Sequence, residues 1–277
     1  MDDRLPTPRA ADAPAPPAPR HIGFFNVRGA WTLYLKEVRR FIKVGQQTLV
    51  APAVTTLLFL AIFTLALGGD SRSIAGVAFD RFLAPGLVMM AIAQNAFANT
   101  SSSMVISKVQ GNIVDVLMPP LSPSALTSGY ALAGVTRGVM VGAVCVAAMT
   151  IFVPTHIADL GLILYHAVMA SLMLSLLGLM GGIWAEKFDH IAAVTNFVVT
   201  PAAFLSGTFY SIESLPGAWN TVAHMNPLFF LIDGFRAGFI GRADGSLLLG
   251  AAVVAAVNIV LWAICHWMFK TGYKLKA

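Results

Sequence analysis

Gln94, Asn95 and Asn99 lie in a run from Phe82 to Ser107 that contains no Asp, Glu, Lys or Arg. Lipid offers an amide no hydrogen bond, so side chains of this kind in so apolar a run must face protein or water. Thr100, Ser101, Ser102 and Ser103 continue the polar line. Arg137 interrupts a second apolar run, Ala125 to Val153, beside Gly134, Gly138 and Gly142 at four-residue spacing. That small-residue stripe lets another helix approach closely, so Arg137 should point into the bundle. No acidic residue lies at comparable depth. Counted from the ends of antiparallel neighbours, Gln94 and Asn95 fall level with Arg137 and are its candidate partners. The chemistry open to this set is solvation of cargo: amides that line a pathway and a cation that meets an anionic group. The structural alternative for Arg137 is a cation held by amides and carbonyls within the protein. Thr195 and Asn196 form a second, smaller candidate lining, although single polar residues in a bundle often only join helices. Bond-making chemistry has no foothold. Six histidines show no metal-binding spacing, and neither a nucleophile elbow nor paired carboxylates at membrane depth occur. Cys145 and Cys265 both sit in apolar runs and offer no disulfide framework. The expectation is therefore no catalytic residue and no metal site.

Long helices in lipid must position these groups. The chain has 277 residues, 57% hydrophobic and 11% charged, whereas an average soluble domain carries roughly 25% charged residues. So few charges cannot cover a water-exposed surface, which argues against a soluble enzyme, a secreted disulfide domain or a nucleic-acid-binding module. Runs lacking charge, apart from Arg137, place six spans at about 49–69, 82–107, 125–153, 160–184, 190–209 and 246–269. Each is long enough for a hydrocarbon core of ~30 Å, and too long for barrel strands. The fold class predicted is all-α, a polytopic membrane protein with six transmembrane helices in one domain, residues 23–277. Residues 1–22, with six prolines, read as a disordered cytoplasmic tail. With the N-terminus inside, the inner segments hold thirteen Lys and Arg and the outer ones four, so both termini are expected in the cytoplasm.

Three segments are neither tail nor span. In 24–44, Trp31, Tyr34, Leu35, Val38, Phe41 and Ile42 recur at helical spacing, with Lys36, Arg39, Arg40 and Lys43 largely opposite. Such a helix lies in the membrane interface, as a lever toward a cytoplasmic partner or as a simple anchor. Between the second and third spans, Val109 to Met118 can form a short helix with Ile113, Val116 and Leu117 on one side, stopped by Pro119 and Pro120. The segment 205–241 is too apolar for a free loop and too interrupted, by Gly207, Pro216, Gly217 and Pro227, for one span. It reads as half-helices re-entering the outer leaflet before the last span.

Five stretches carry a resemblance: QTLVAPAVTTLLFLAIF (47–63), FLAPGLVMM with NAFANTSSS (82–103), GYALAGVTRGVMVG (129–142), TPAAFLSGTFYSIESLP (200–216) and NPLFFLIDGFRAGFIG (226–241). With these the chain, over about residues 24–275, resembles type-2 ABC exporter permeases, the family of drug, nodulation-factor and polysaccharide exporters. Several stretches fit the Yad-type permeases of Gram-negative inner membranes. The resemblance implies a connecting helix that rests on an ATPase subunit and includes Trp31, Tyr34, Lys36, Glu37, Arg39 and Arg40. It implies a coupling helix with Gln110, Asn112, Ile113, Asp115, Val116 and Leu117, and an outer gate with Phe209, Tyr210, Pro216 and Trp219. It further implies a dimer of this chain served by two separate ATPase chains, which would hold ATP and magnesium. No G-x-x-x-x-G-K-[ST] loop occurs here, so no cofactor is expected on this chain. Gly111 departs from the family pattern, where a basic residue is frequent. The competing class is an ATP-independent channel or secondary transporter. Inverted repeats and buried acidic residues would favour it, and neither is apparent.

Overall fold

The computed structural model describes residues 26–68, 73–74, 76–212 and 217–275. The predicted tail, 1–22, lies outside them, as does Pro216. The described residues are helical except for one two-stranded hairpin, β1 (Ser73–Ile74) with β2 (Val77–Ala78), and connecting turns. The helices are α1 (Val27–Ile42), α2 (Ala51–Phe63), α3 (Phe79–Val109), α4 (Ile113–Leu117), α5 (Pro123–Met149) and α6 (Leu160–Trp184). They continue as α7 (Phe188–Val194), α8 (Thr200–Leu205), α9 (Ala218–Met225), α10 (Pro227–Ile240) and α11 (Leu247–Thr271). Among the described residues, six helical stretches are long and apolar enough to cross a membrane: Gln46–Ala66, Phe79–Val109, Pro123–Met149, Leu160–Trp184, Phe188–Leu205 and Leu247–Thr271. The all-α, six-span fold class is as the sequence predicts.

Pi-helical turns enter the first and fifth spans immediately ahead of prolines. Residues Gln46–Val50 precede Pro52, and Thr195–Val199 precede Pro201. Proline has no N–H to donate back along the helix. In each case the last bond before it reaches one residue further than in an α-helix, Ala51 to Gln46 and Thr200 to Thr195.

The second span, α3, is the axis of the bundle and is buried along most of its length by α5, α6 and α10. Glycines allow this. A side chain at Gly138 would strike Ser171 of α6, and one at Gly142 would meet Ile92 of α3 at 2.6 Å. Gly178 and Gly182 of α6 lie against the backbone of α3 at Phe97 and Ser101. The stripe read from the sequence is thus one side of a three-helix seam. Polar groups stitch it: Thr100 donates to the Ser175 carbonyl at 2.7 Å, and Ser175 donates to the Ala131 carbonyl at 3.1 Å. With main-chain acceptors spoken for within the helices, such bonds satisfy buried hydroxyls at little cost. The first, fifth and sixth spans, in contrast, leave most of their surface uncovered.

Helix α1 packs on the bundle along a line beside the aromatic stripe. Its buried line is Ala30, Leu33, Glu37 and Phe41, while Trp31 and Ile42 are exposed. Ala30 and Leu33 rest on Gly129 of α5, where an added Cβ would lie 3.4 Å from the Ala30 carbonyl and 2.9 Å from Leu33. The face that permits closest approach meets the bundle, and Trp31 and Ile42 are left for the interface. A carboxylate is buried as a consequence.

Candidate functional site

Two polar clusters flank α3 at mid-bundle. In the first, Arg137 donates from Nη2 to Asn95 Oδ1 at 3.0 Å, and Asn95 donates to the Ala91 carbonyl at 3.0 Å. Asn95 is therefore the partner of the half-buried Arg137 that the depth count picked out. Gln94 and Asn95 line one cavity of about 270 Å³ between α2 and α3, together with Gln47, Pro52, Thr55 and Thr56. Asn99 is one turn further along and does not reach it.

Asn99 belongs to the second cluster, which joins α1 to the bundle. Arg40 donates from Nη2 to the Asn99 carbonyl at 2.7 Å and to its Oδ1 at 3.2 Å. The same guanidinium gives Nε to Glu37 Oε2 at 3.0 Å. Glu37 is fully buried, and Lys36 Nζ stands 3.9 Å from its other oxygen. A buried carboxylate without a cation would be severely penalised, so Arg40 must stay seated wherever Glu37 goes. The pair clamps α1 to α3. Tyr34 adds a hydroxyl contact with Thr136 at 3.0 Å on α5. Lys36 and Arg39 remain exposed toward water or a partner. The clamp went unread in the sequence, yet it left a signal: Leu33, Glu37 and Phe41 fall on one four-residue line of a helix.

The α4 end gathers the connecting segments. A left-handed residue at Gly111, φ +73°, ends α3. That conformation strains any residue with a Cβ, which accounts for glycine where a basic residue is frequent. The short helix that follows spans five residues rather than the ten expected. Ile113 and Val116 turn inward and are buried. The free side carries Val114, Asp115 and Met118, with exposed Leu117 at its edge and exposed Gln110 and Asn112 flanking it. Leu117, one turn on from Ile113, stands at the outer edge of that same side, 37% exposed. Asn26, the cap of α1, donates to the Pro120 carbonyl at 3.3 Å, so α1 begins beside the exit of α4. Lys108 closes the same end by donating to the carbonyls of Ile183 and Ala185 at 2.6 and 2.7 Å. Lys274, 3.1 Å from Glu186, holds that carboxyl below its usual range.

At the opposite end, Phe209 packs on Phe63 of the first span at 4.6 Å between ring centres and on Phe204 at 5.2 Å. Tyr210 donates to the Leu205 carbonyl at 3.2 Å, and Trp219 is 60% exposed. The segment before the last span forms α9 and the almost wholly buried α10. Two charges there went unassigned in the sequence. Arg236 donates to the Gly207 carbonyl and lies 3.8 Å above the Phe82 ring, a contact that favours a cation. Asp233 accepts from the backbone N–H groups of Asp244 and Gly245 at 2.8 and 2.9 Å. Their three-residue spacing within an otherwise apolar helix was the available sign. Thr195 spends its hydroxyl on the Ile191 carbonyl at 2.8 Å, and Asn196 is exposed on the fifth span. Neither lines the cavity of Gln94 and Asn95. Among the described residues, no group of three His, Cys, Asp or Glu is placed to hold a metal ion.

Comparison with known proteins places this geometry. Residues 28–240 match the family model described as ABC-2 type transporter. The chain is 34% identical over 257 residues to the inner membrane transport permease YadH of Escherichia coli K12, covering 93% of this chain and 99% of that one. It is 23% identical over 222 residues to nodulation protein J of Rhizobium leguminosarum bv. viciae, covering 79% and 85% respectively. A match spanning α1 to α10, with a relative aligned over nearly its whole length, establishes that this chain belongs to the ABC-2 type transporter family.

Proposed function

We propose that this chain is the permease subunit of an ATP-driven exporter of a bacterial inner membrane. It works as a dimer with two copies of a separate ATPase chain, which bind ATP and magnesium, and moves an amphipathic, lipid-like or glycan substrate outward. Family membership and the likeness to a named inner membrane transport permease support the coarse part of this reading. The sequence contains no P-loop, so the energy comes from another polypeptide. The observation that carries the mechanism is the clamp of α1 on α3 through Glu37, Arg40 and Asn99. A partner pressing on the free sides of α1 and α4 would move a helix rigidly tied to the axis of the bundle. The uncovered surfaces of the first and fifth spans suit lipid and a second copy. Gln94 and Asn95 supply polar lining, with Thr195 and Asn196 a second set. Arg137 either meets an anionic cargo group or serves only the Asn95 contact. Phe209, Tyr210, Pro216 and Trp219 belong to the outer gate.

Leu117→Asp is the direct test of the docking surface. Leu117 is 37% exposed at the edge of α4, so the variant should fold. The ATP-hydrolysing chain retained by the tagged full chain is expected to fall at least tenfold, as for a residue worth more than about 1.4 kcal/mol at an interface. Undiminished retention would remove α4 from the docking surface. Ile113→Asp, at an inward position, should instead lower the yield of folded chain.

The orientation has its own check. Lys187→Cys should react with a membrane-impermeant thiol reagent only in inside-out vesicles, and Ile157→Cys only in intact cells after the outer membrane is opened. The opposite pattern would invert the topology. Both positions are exposed in turns at opposite ends of α6.

A further inference from the structure

The end of the bundle away from α4 contains a cavity of about 360 Å³ that plays no part in the mechanism above. Its volume lies in the range of small-molecule sites, ~300–1,000 Å³. Hairpin β1–β2, the first turns of α3, the end of α5, the turn after it and the end of α10 enclose it. Pro85, Val88, Val146, Met149 and Phe239 make an apolar wall, and Arg81 and His156 stand exposed at the rim. Arg81 makes no ion pair among the described residues. Its neighbour Asp80 turns its carboxylate to the Arg81 backbone N–H at 2.8 Å, and it does not line the cavity.

We infer that this cavity holds one anionic phospholipid, its phosphate at Arg81 and His156 and the start of an acyl chain against Val88 and Met149. The vertical arrangement favours that occupant. From Arg81 to Val88 the helix advances about 10 Å, enough to pass from a headgroup layer ~5–7 Å thick into the hydrocarbon. A ligand must therefore be charged at one end and apolar along its length. An unpaired arginine above an apolar slot between spans recognises an anionic headgroup more strongly than a zwitterionic one. The inference does not depend on transport or on the ATPase.

Native mass spectrometry of the full chain in mild detergent tests it, with phosphatidylglycerol and phosphatidylcholine of identical acyl chains as probes. The wild-type chain is expected to retain one phosphatidylglycerol in preference to phosphatidylcholine. Arg81→Gln should weaken that retention about fivefold, the effect of one arginine at a lipid headgroup, while Arg81→Lys should largely preserve it. The melting temperature without lipid should be the same in all three, since Arg81 is exposed and its side chain makes no bond among the described residues. His156→Gln is a second variant that leaves α3 untouched, and it should weaken retention in the same direction. Equal retention of the two lipids would mean that the slot is filled by apolar contact alone. Full displacement by inorganic phosphate would mean a free-anion site. Either result, or wild-type retention by both Arg81→Gln and His156→Gln, overturns the inference.

Discussion

Glu37→Ala is expected to destabilise the folded chain by about 3 kcal/mol, near the lower bound for removing one partner of a buried ion pair. The lower bound applies because the Arg40 side chain remains 30% exposed, whereas Glu37 is completely enclosed. Its loss leaves the Arg40 guanidinium beside Asn99 without a counter-charge. Arg40→Met should cost more than Glu37→Ala, because it strands the carboxylate, the less exposed of the two charges. The decisive comparison is the double variant Glu37→Ala/Arg40→Met. If the clamp is an ion pair, the double variant should be less destabilised than the sum of the singles, with a coupling of about 1–3 kcal/mol. Thermal unfolding of the purified chain in detergent measures all four corners of this cycle. Additive losses would mean that the two residues stabilise α1 independently. A functional consequence separates the clamp from mere packing. In a complex with the proposed ATPase chain, hydrolysis should continue with the double variant but lose its dependence on the permease.

Gly178→Leu is expected to abolish recovery of folded, monodisperse chain. Overpacking a core commonly costs about 1–3 kcal/mol when side chains can shift, but here the obstacle is the backbone carbonyl of Phe97 on α3, with Thr100 beside it. A carbonyl within a helix cannot rotate away without breaking the bond that it accepts. Gly178→Ala should already lower the melting temperature. Gly181 provides the control, because its added Cβ would meet only Ile191 and Phe97 side-chain atoms at 3.7 and 3.8 Å. Gly181→Ala should be neutral or stabilising by up to about 1 kcal/mol through the lower entropy cost of ordering alanine in a helix. Comparable loss in both variants would place the contact between α6 and α3 elsewhere.

Much of this architecture is legible in the sequence for one physical reason: lipid imposes composition. A helix that crosses hydrocarbon cannot carry unpaired charge, so charge-free runs mark the spans and the rare exception, Arg137, is obliged to find a partner. Depth alone then narrows that partner to Gln94 or Asn95, and Asn95 holds it. The parts that were not legible depend on helix rotation at the interface, where water, lipid and protein are all available. Periodicity marks the aromatic stripe of α1 for the interface, where Trp31 stays exposed, but it does not show that Ala30 and Leu33 fit closely at Gly129. The same ambiguity affects α4. An apolar edge of Ile113 and Val116 reads equally as a docking surface or as the underside of the helix, and contact with the bundle decides for the underside. Asp233 and Arg236 escaped for another reason. Their charges are absorbed by backbone groups of turns distant in sequence, Asp244 and Gly245 in one case and Gly207 in the other.

The central claim is that an ATP-hydrolysing chain docks on the α4 end of this permease. The most direct measurement is thiol crosslinking in native membranes from a single cysteine, Leu117→Cys, compared with Ile157→Cys at the far end. The account predicts that Leu117→Cys yields an adduct containing a nucleotide-binding chain and Ile157→Cys does not. An intact, folded permease that yields no such adduct from Leu117→Cys, or yields it from Ile157→Cys instead, would contradict the account.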